Sequence, residues 1–286
     1  MNNTYIKSPL NYMGGKHKLL PQIIPLFPKK INIFIDLFGG GFNVGINVDA
    51  DMIVYNDINN HLLDIFNLMK ETNSLTFANK IEDIMIQYGL NKTVVNDEYI
   101  LKNNYLKLRS DYNEKKDIYL LYSLICCSFS NQIRFNSKDE FNLPYGSRYF
   151  NPSMRNNLIN FVDAIHNKHN LKMYNLSYLD LLNTIGELGE NDLVYCDPPY
   201  YNSNATYNEK GGWTYDDERN LLSMLDSLSY NGVKFALSNN LKYNNELLYK
   251  WKDNYNTYYL NGSQYNNCNY HKKDRSKDIE VLITNY

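Results

Sequence analysis

The sequence predicts an α/β protein: a mostly parallel seven-stranded sheet with helices on both faces, an antiparallel hairpin towards its C-terminal end, and a small helical domain inserted into it. Three observations predict this. Strand-like and helix-like segments alternate through the first quarter of the 286 residues and again through the last two-fifths, the pattern of a parallel sheet with crossover helices. The first strand-like run opens directly onto Gly39-Gly40-Gly41, as at strand-to-helix turns where backbone N–H groups approach a ligand. The last two strand-like runs have no helical pattern between them, which fits a hairpin rather than a crossover.

Taken in order, Ile31–Phe38 is an apolar, β-branched run of strand length, and Met52–Asn56 is the second. Helical patterns follow over Asn59–Glu71 and Ser74–Tyr88. Further strands are expected at Lys172–Asn175, Asp192–Cys196, Val233–Leu237, Thr257–Leu260 and Ile279–Thr284, with helices at Asp216–Ser229 and Asn244–Trp251. Between Gly89 and Asn167 the alternation stops. Helical patterns at Asp97–Asn113, Lys116–Phe129 and Ser153–His166 surround a polar, aromatic-rich loop there. The expected organisation is therefore one α/β domain, residues 1–88 and 168–286, interrupted by an inserted domain over 89–167.

Composition narrows the class. A hydrophobic content of 43% is enough for a sizeable core. The longest apolar helix candidate, Ile118 to Phe129, is too short to span a bilayer, and Met1-Asn-Asn-Thr-Tyr does not read as a secretory signal. Cys126, Cys127, Cys196 and Cys268 offer no spacing for zinc or a disulfide framework, so a reducing, cytoplasmic setting is expected, and Cys196 reads as a core residue. The five histidines show no metal-ligand spacing, so no metal is expected. A formal charge of −2 argues against indiscriminate coating of nucleic acid. It leaves room for local basic surface: Lys272, Lys273, Arg275 and Lys277 cluster late, while Arg134, Lys138, Arg148 and Arg155 interleave with aromatics in the insertion.

Three segments carry chemistry. Asp197-Pro198-Pro199-Tyr200 follows the apolar run Leu193–Cys196, so it stands at a strand's carboxyl end. The Asp197 carboxylate and the Pro198 carbonyl can both accept from an exocyclic NH2, and Tyr200 can stack on its ring. A strand that simply stops because proline cannot continue it accounts for the same residues. Gly39-x-Gly41 is followed by Val44 rather than a third glycine, so it is not the dinucleotide fingerprint. Gly14-Gly15-Lys16 lacks both the leading glycine and the Ser/Thr of a P-loop. Asp57, in Asn56-Asp57-Ile58-Asn59, lies about 20 residues beyond the glycine turn, where an acid bonds ribose hydroxyls. All three segments end strands. In an open α/β sheet they should converge on one edge, where ligands bind.

The chain resembles the Dam-like DNA adenine-N6 methyltransferases of the D12 class. The resemblance rests on Asn11-Tyr12-Met13-Gly14-Gly15-Lys16, Asp36-Leu37-Phe38-Gly39-Gly40-Gly41, Asn56–Asn59 and Asp197–Tyr200. Arg134-Phe135-Asn136 with Phe141-Asn142-Leu143-Pro144-Tyr145-Gly146, and the closing Ile283–Tyr286, match as well. These pieces run in the family's order over nearly the whole chain. The resemblance implies an AdoMet-dependent methyltransferase fold, S-adenosyl-L-methionine (AdoMet) as methyl donor, and a flipped adenine in duplex DNA as substrate, GATC being the family's commonest target. A cognate restriction endonuclease is the functional partner it implies, and a monomer is expected.

By resemblance, Tyr12, Gly14 and Lys16 stand at the methionine end of the cofactor. Phe38, Gly39 and Gly41 form the turn beneath it, with Asp36 as a further ligand. Ser177-Tyr178 resembles the pair bordering its adenine, although Ser177 reads equally well as a helix cap. Catalysis falls to Asp197, Pro198 and Tyr200, with Asp197 also facing the cofactor. Arg134 and Asn136 suit guanine and adenine in the major groove, and Asn142, Pro144 and Arg148 complete the expected DNA contacts. The alternative reading of Asn136 and Asn142 is as turn residues that hold a loop, and Ser137–Glu140 leads into Phe141 without the glycine of relatives. Tyr201–Trp213 reads as a loop ordering over the flipped base, with Trp213 as a pocket wall or a helix anchor. An RNA or protein-amide methyltransferase and a non-catalytic DNA-binding relative are the alternatives.

Overall fold

The computed structural model describes residues 5–12, 14–202, 212–243, 245–261 and 279–286. The Lys272–Lys277 cluster, Cys268 and most of the Tyr201–Trp213 loop lie outside the described residues. The chain divides into two compact units, one of residues 1–15 and 59–169, the other of residues 16–58 and 170–286.

The second unit is a seven-stranded sheet of order β3-β2-β1-β4-β5-β7-β6. Its strands are β1 (Ile33–Asp36), β2 (Met52–Asn56), β3 (Leu171–Tyr174), β4 (Leu193–Cys196), β5 (Lys234–Asn240), β6 (Asn256–Tyr259) and β7 (Glu280–Thr284). The first five pair in parallel, and β7 runs antiparallel to both β5 and β6. All seven expected strands are present, and the AdoMet-dependent methyltransferase α/β architecture follows. Strand order reverses between β1 and β4, which opens a crevice beyond their carboxyl ends.

Alternation along the strands decides which side chains enter that crevice. Ile35, Leu37, Val194, Cys196, Phe235, Leu237, Val281 and Ile283 share one face. They bury against α7 (Tyr178–Thr184), α8 (Tyr215–Tyr230) and α9 (Glu246–Trp251) through Leu181, Leu221, Leu225, Leu248 and Trp251. On the other face Phe34 stacks on Tyr195, and Phe27 packs on both rings. Asp36 is two residues beyond Phe34 and Asp197 two beyond Tyr195, so both acids lie on this second face. A one-residue slip would exchange Asp36 for Ile35 or Leu37, or Asp197 for the buried Cys196.

The first unit is helical: α2 (Asn60–Glu71), α3 (Ser74–Gln87), α4 (Glu98–Lys115), α5 (Ile118–Cys127) and α6 (Pro152–His166). Caps fix their starts. Asn59, Asn73, Asp97, Asp117 and Asn151 each accept from backbone N–H groups of the first turn. From Leu120 to Cys127, α5 is buried at every position, which explains its uninterrupted apolar pattern. Two short helices had no sequence forecast: α1 (Leu20–Ile23), a four-residue turn, and α7, of which only the cap Ser177 was legible.

Candidate active site

The glycine turn after β1 is clamped to β2. Gly39 N donates to Asn56 O at 2.7 Å, Phe42 N to Gly39 O at 2.7 Å, and the Tyr55 hydroxyl to Gly40 O at 2.9 Å. A Cβ on Gly39 would stand 2.4 Å from the buried Tyr55 ring, so this glycine is required by the protein's own packing. Phe42 accepts a φ of +59° and is fully buried edge-on against Tyr55. Asp57, directly after β2, takes Gly40 N on Oδ2 at 2.9 Å. The turn therefore presents Gly39–Gly41 and Asp57 as one pre-formed piece.

Asp36, Asp57 and Asp197 gather at the carboxyl ends of β1, β2 and β4. Asp36 is almost fully buried and accepts Gly45 N at 3.0 Å. Burial pushes its carboxyl up to about 7; that hydrogen bond opposes the rise, and the charges of Asp197 and Asp57 add to it. Lys16 places its ammonium 2.7 Å from both oxygens of Asp197, with side-chain exposures of 2% for Lys16 and 18% for Asp197. Burial nevertheless raises Asp197 to about 6; Lys16 and a Tyr200 hydrogen bond oppose the rise, and the charge of Glu280 adds to it. The Lys16 ammonium also lies 5.3 Å from the centre of the Tyr200 ring. Cys196, next to this acid, is buried with its thiol pushed well up by burial, which makes it a core residue.

Beside the glycine turn, Phe38, Tyr178 and Trp213 form an aromatic group with ring centres 5.4–5.6 Å apart. Trp213 also anchors the start of α8, donating Nε1 to the buried Glu218 at 2.6 Å, and Asn245 holds the other Glu218 oxygen at 2.6 Å. Ser177 caps α7, accepting from Asp180 N at 3.1 Å and donating to the Asp180 carboxylate at 2.7 Å. The sequence reading did not single out Asn240 or Glu280. They face each other across β5 and β7, and Glu280 accepts from Asn240 Nδ2 at 2.9 Å and from the Tyr200 hydroxyl at 3.0 Å. An acid heading the apolar run Val281–Ile283 was the available signal.

The first unit holds Tyr12, Gly14 and the expected DNA contacts. Gly14 adopts φ +77°, and Gly15 N donates to Tyr12 O at 3.2 Å. Arg134, Asn136 and Asn142 share a hairpin closed by a Phe135–Phe141 bridge. Asn136 holds its tip, accepting from Lys138 N and Glu140 N at 2.9 and 3.0 Å. Asn142 takes Arg134 Nε at 2.8 Å, which orients the guanidinium. Tyr105, Arg109 and Asn113, four residues apart on one face of α4, fix the segment through Leu143 O and Phe141. His61 stacks on Phe135 at 3.6 Å and hydrogen-bonds Asp139 at 2.7 Å. Pro144 is exposed, its carbonyl accepting Phe129 N, and the exposed Arg148 donates to Asn131 Oδ1 at 3.1 Å. Among the described residues no helix is long and apolar enough to cross a membrane, and no group of three His, Cys, Asp or Glu side chains is arranged to hold a metal ion.

Comparison with known proteins places these observations in a family. Residues 12–266 match the model of the D12 class N6 adenine-specific DNA methyltransferases. The chain is 44% identical to type II methyltransferase M.FokI of Planomicrobium okeanokoites and 40% identical to modification methylase StsI of Streptococcus sanguinis, each across 99% of this chain and 43% of the relative. It is 28% identical to type II methyltransferase M1.LlaDCHI of Lactococcus lactis subsp. cremoris, across 100% of this chain and 97% of that protein. The chain thus spans less than half the length of the first two relatives. On the strength of the family match over most of its length, the chain belongs to the D12 class of N6 adenine-specific DNA methyltransferases.

Proposed function

We propose that this chain transfers a methyl group from AdoMet to the exocyclic amine of an adenine flipped out of a short specific site in duplex DNA, as one half of a restriction-modification pair in the cytoplasm. The observation that carries this reading is the meeting of Asp197, Pro198 and Tyr200 with Asp36 and Asp57 on one rim of the sheet. Membership of the class and the likeness to M.FokI and StsI support it.

The residues fit AdoMet. Burial raises the Asp36 and Asp197 carboxyls, and neighbouring acids add to the rise; a ligand carrying a sulfonium and an ammonium group favours their charged forms. Asp57 commits one oxygen to Gly40 N. A carboxylate has about four acceptor positions, so it keeps capacity for ribose hydroxyls. Phe38 and Tyr178 offer flat apolar surface for the cofactor's adenine, and Gly39 and Gly41 the backbone beneath it. Tyr12, Gly14 and Lys16 keep the methionine end, and Ser177 the adenine border, on the family's pattern. Bound there, AdoMet supplies a methyl group already activated by its sulfonium.

The chain's own work is placement. The adenine amine is a weak nucleophile because its lone pair is delocalised into the ring. Asp197 and the Pro198 carbonyl accept its two N–H hydrogens and turn the lone pair out of conjugation. The Asp197 charge then stabilises the positive charge developing on nitrogen. Tyr200 stacks on the base, worth about 1–3 kcal/mol, which offsets part of the few kcal/mol that flipping costs. Residues 1–88 with 168–286 carry the chemistry. Residues 89–167 read the site: Arg134, oriented by Asn142, reaches guanine, with Asn136, Pro144 and Arg148 as the further contacts to DNA.

Incubation with AdoMet and plasmid DNA, followed by mapping of modified adenines, tests the reading. Asp197→Ala should abolish transfer while AdoMet binding remains measurable. Modified cytosine, or an undiminished Asp197→Ala variant, refutes it.

A further inference from the structure

The buried pair Asn240–Glu280 has no part in the mechanism above, yet it adjoins the group on which that mechanism depends. Glu280 heads β7, and Asn240 ends β5 directly opposite. Only 3% of each residue is exposed. A carboxylate taken from water at such a site costs several kcal/mol unless its oxygens are bonded. Two donors meet that need: Asn240 Nδ2 on Oε1 at 2.9 Å and the Tyr200 hydroxyl on Oε2 at 3.0 Å. Asn240 is itself fixed, its Oδ1 accepting from Lys242 N at 3.0 Å. Tyr200 in turn packs its ring 6.0 Å from that of Tyr243.

Resting on the methyl-transfer reading, we propose that Glu280 is a positioning residue of that reaction: through the Tyr200 hydroxyl it fixes the ring on which the target base stacks. Three points favour a functional role over simple structural pairing. An amide pair or an apolar pair at β5–β7 would hold the strands without the cost of burying a charge. The hydroxyl chosen as second partner belongs to the one aromatic side chain of the Asp197–Tyr200 tetrapeptide. The geometry also aims the Tyr200 ring from its far end, so the stacking face is set before a base arrives. The Glu280 charge reaches Asp197 as well, whose other charged or polar neighbours are Lys16, Asp36 and Tyr200.

The test compares the full chain with Glu280→Gln, Tyr200→Phe and the double variant on duplex DNA, measuring kcat, KM for DNA, AdoMet affinity and the pH profile. A hydrogen bond to a charged group is worth roughly tenfold or more in rate where it serves the transition state. Each single variant should therefore lose about tenfold in kcat/KM for DNA. The double variant should fall no further than Tyr200→Phe alone, because Glu280 acts on the ring only through the hydroxyl that Tyr200→Phe removes. AdoMet affinity should stay unchanged. Glu280→Gln should also move the acidic limb of the rate profile to lower pH, since a charge that raised the Asp197 carboxyl is gone. Tyr200→Phe retains the ring and all of Glu280, so it reports even if Glu280→Gln folds poorly. Wild-type kcat/KM in Tyr200→Phe, or multiplicative losses in the double variant, overturns the inference alone. A wild-type chain that methylates no DNA overturns the function and this inference together.

Discussion

Replacing Lys16 by methionine is the most informative single perturbation of the site. The substitution keeps the length and apolar stem of the side chain and removes only the ammonium, which lies 2.7 Å from both Asp197 oxygens. At an effective dielectric of about 20, unit charges about 4 Å apart attract by about 4 kcal/mol. Asp197 retains 18% of its side-chain exposure, so solvent screens part of this, and at least about 1.4 kcal/mol, one pH unit of proton affinity, should survive. The Asp197 carboxyl, raised to about 6 with Lys16 in place, then moves further up, so that about half or more of it is neutral at pH 7. Transfer by the variant should fall at pH 7 and recover towards pH 8.5, its acidic limb displaced upward by about one pH unit or more. The assay is the pH dependence of kcat/KM for DNA, run at saturating AdoMet so that any loss of cofactor affinity does not contribute. An acidic limb unmoved or displaced downward would refute both the role of ionised Asp197 and the pair that sustains it.

Three other substitutions test separate parts of the account. Asp36, raised to about 7 from 3.8, binds a proton more tightly folded than unfolded. Its contribution to stability is present at about pH 4 and is lost as pH rises through about 7, by up to about 4 kcal/mol. Asp36→Asn keeps an acceptor for Gly45 N, so the cofactor-free variant should melt higher than wild type at pH 8 and show a flatter slope of Tm between pH 5 and 8; an unchanged slope contradicts the assignment. Gly39→Ala sets a methyl group 2.4 Å from the Tyr55 ring and should cost about 1–3 kcal/mol of stability by overpacking, read from urea midpoints. Arg134→Ala should lose about 1–3 kcal/mol of discrimination at one base pair with AdoMet affinity intact; an equal loss on every sequence would assign it to the phosphate backbone.

The sheet was readable because its strands obey local rules. Apolar or aromatic runs of strand length identified all seven, and the missing helix before Ile279 identified the hairpin. The acids Asp36, Asp57 and Asp197 were readable because each ends such a run, and carboxyl ends of parallel strands meet. What escaped was non-local. The contact between Lys16 and Asp197 spans 181 positions, and the Glu280 bonds to Asn240 and Tyr200 cross strands whose order β5-β7-β6 no sequence period encodes. The turn glycines show a different limit. Gly39 was read as room for a ligand, whereas the atom that forbids a side chain there belongs to Tyr55. Asn136 and Asn142 were open to two readings, and the structure ties both into the hairpin, Asn136 at its tip and Asn142 against Arg134.

One measurement bears most directly on the central claim, that the strand-end acids and the Asp197–Tyr200 tetrapeptide form a single adenine-methylating site. Duplex DNA is incubated with the chain and AdoMet labelled in its methyl group, digested to nucleosides and separated. The label is expected in N6-methyl-2′-deoxyadenosine and should disappear with Asp197→Ala, while AdoMet binding by that variant stays measurable. Label in any other nucleoside, or full incorporation by Asp197→Ala, would contradict it.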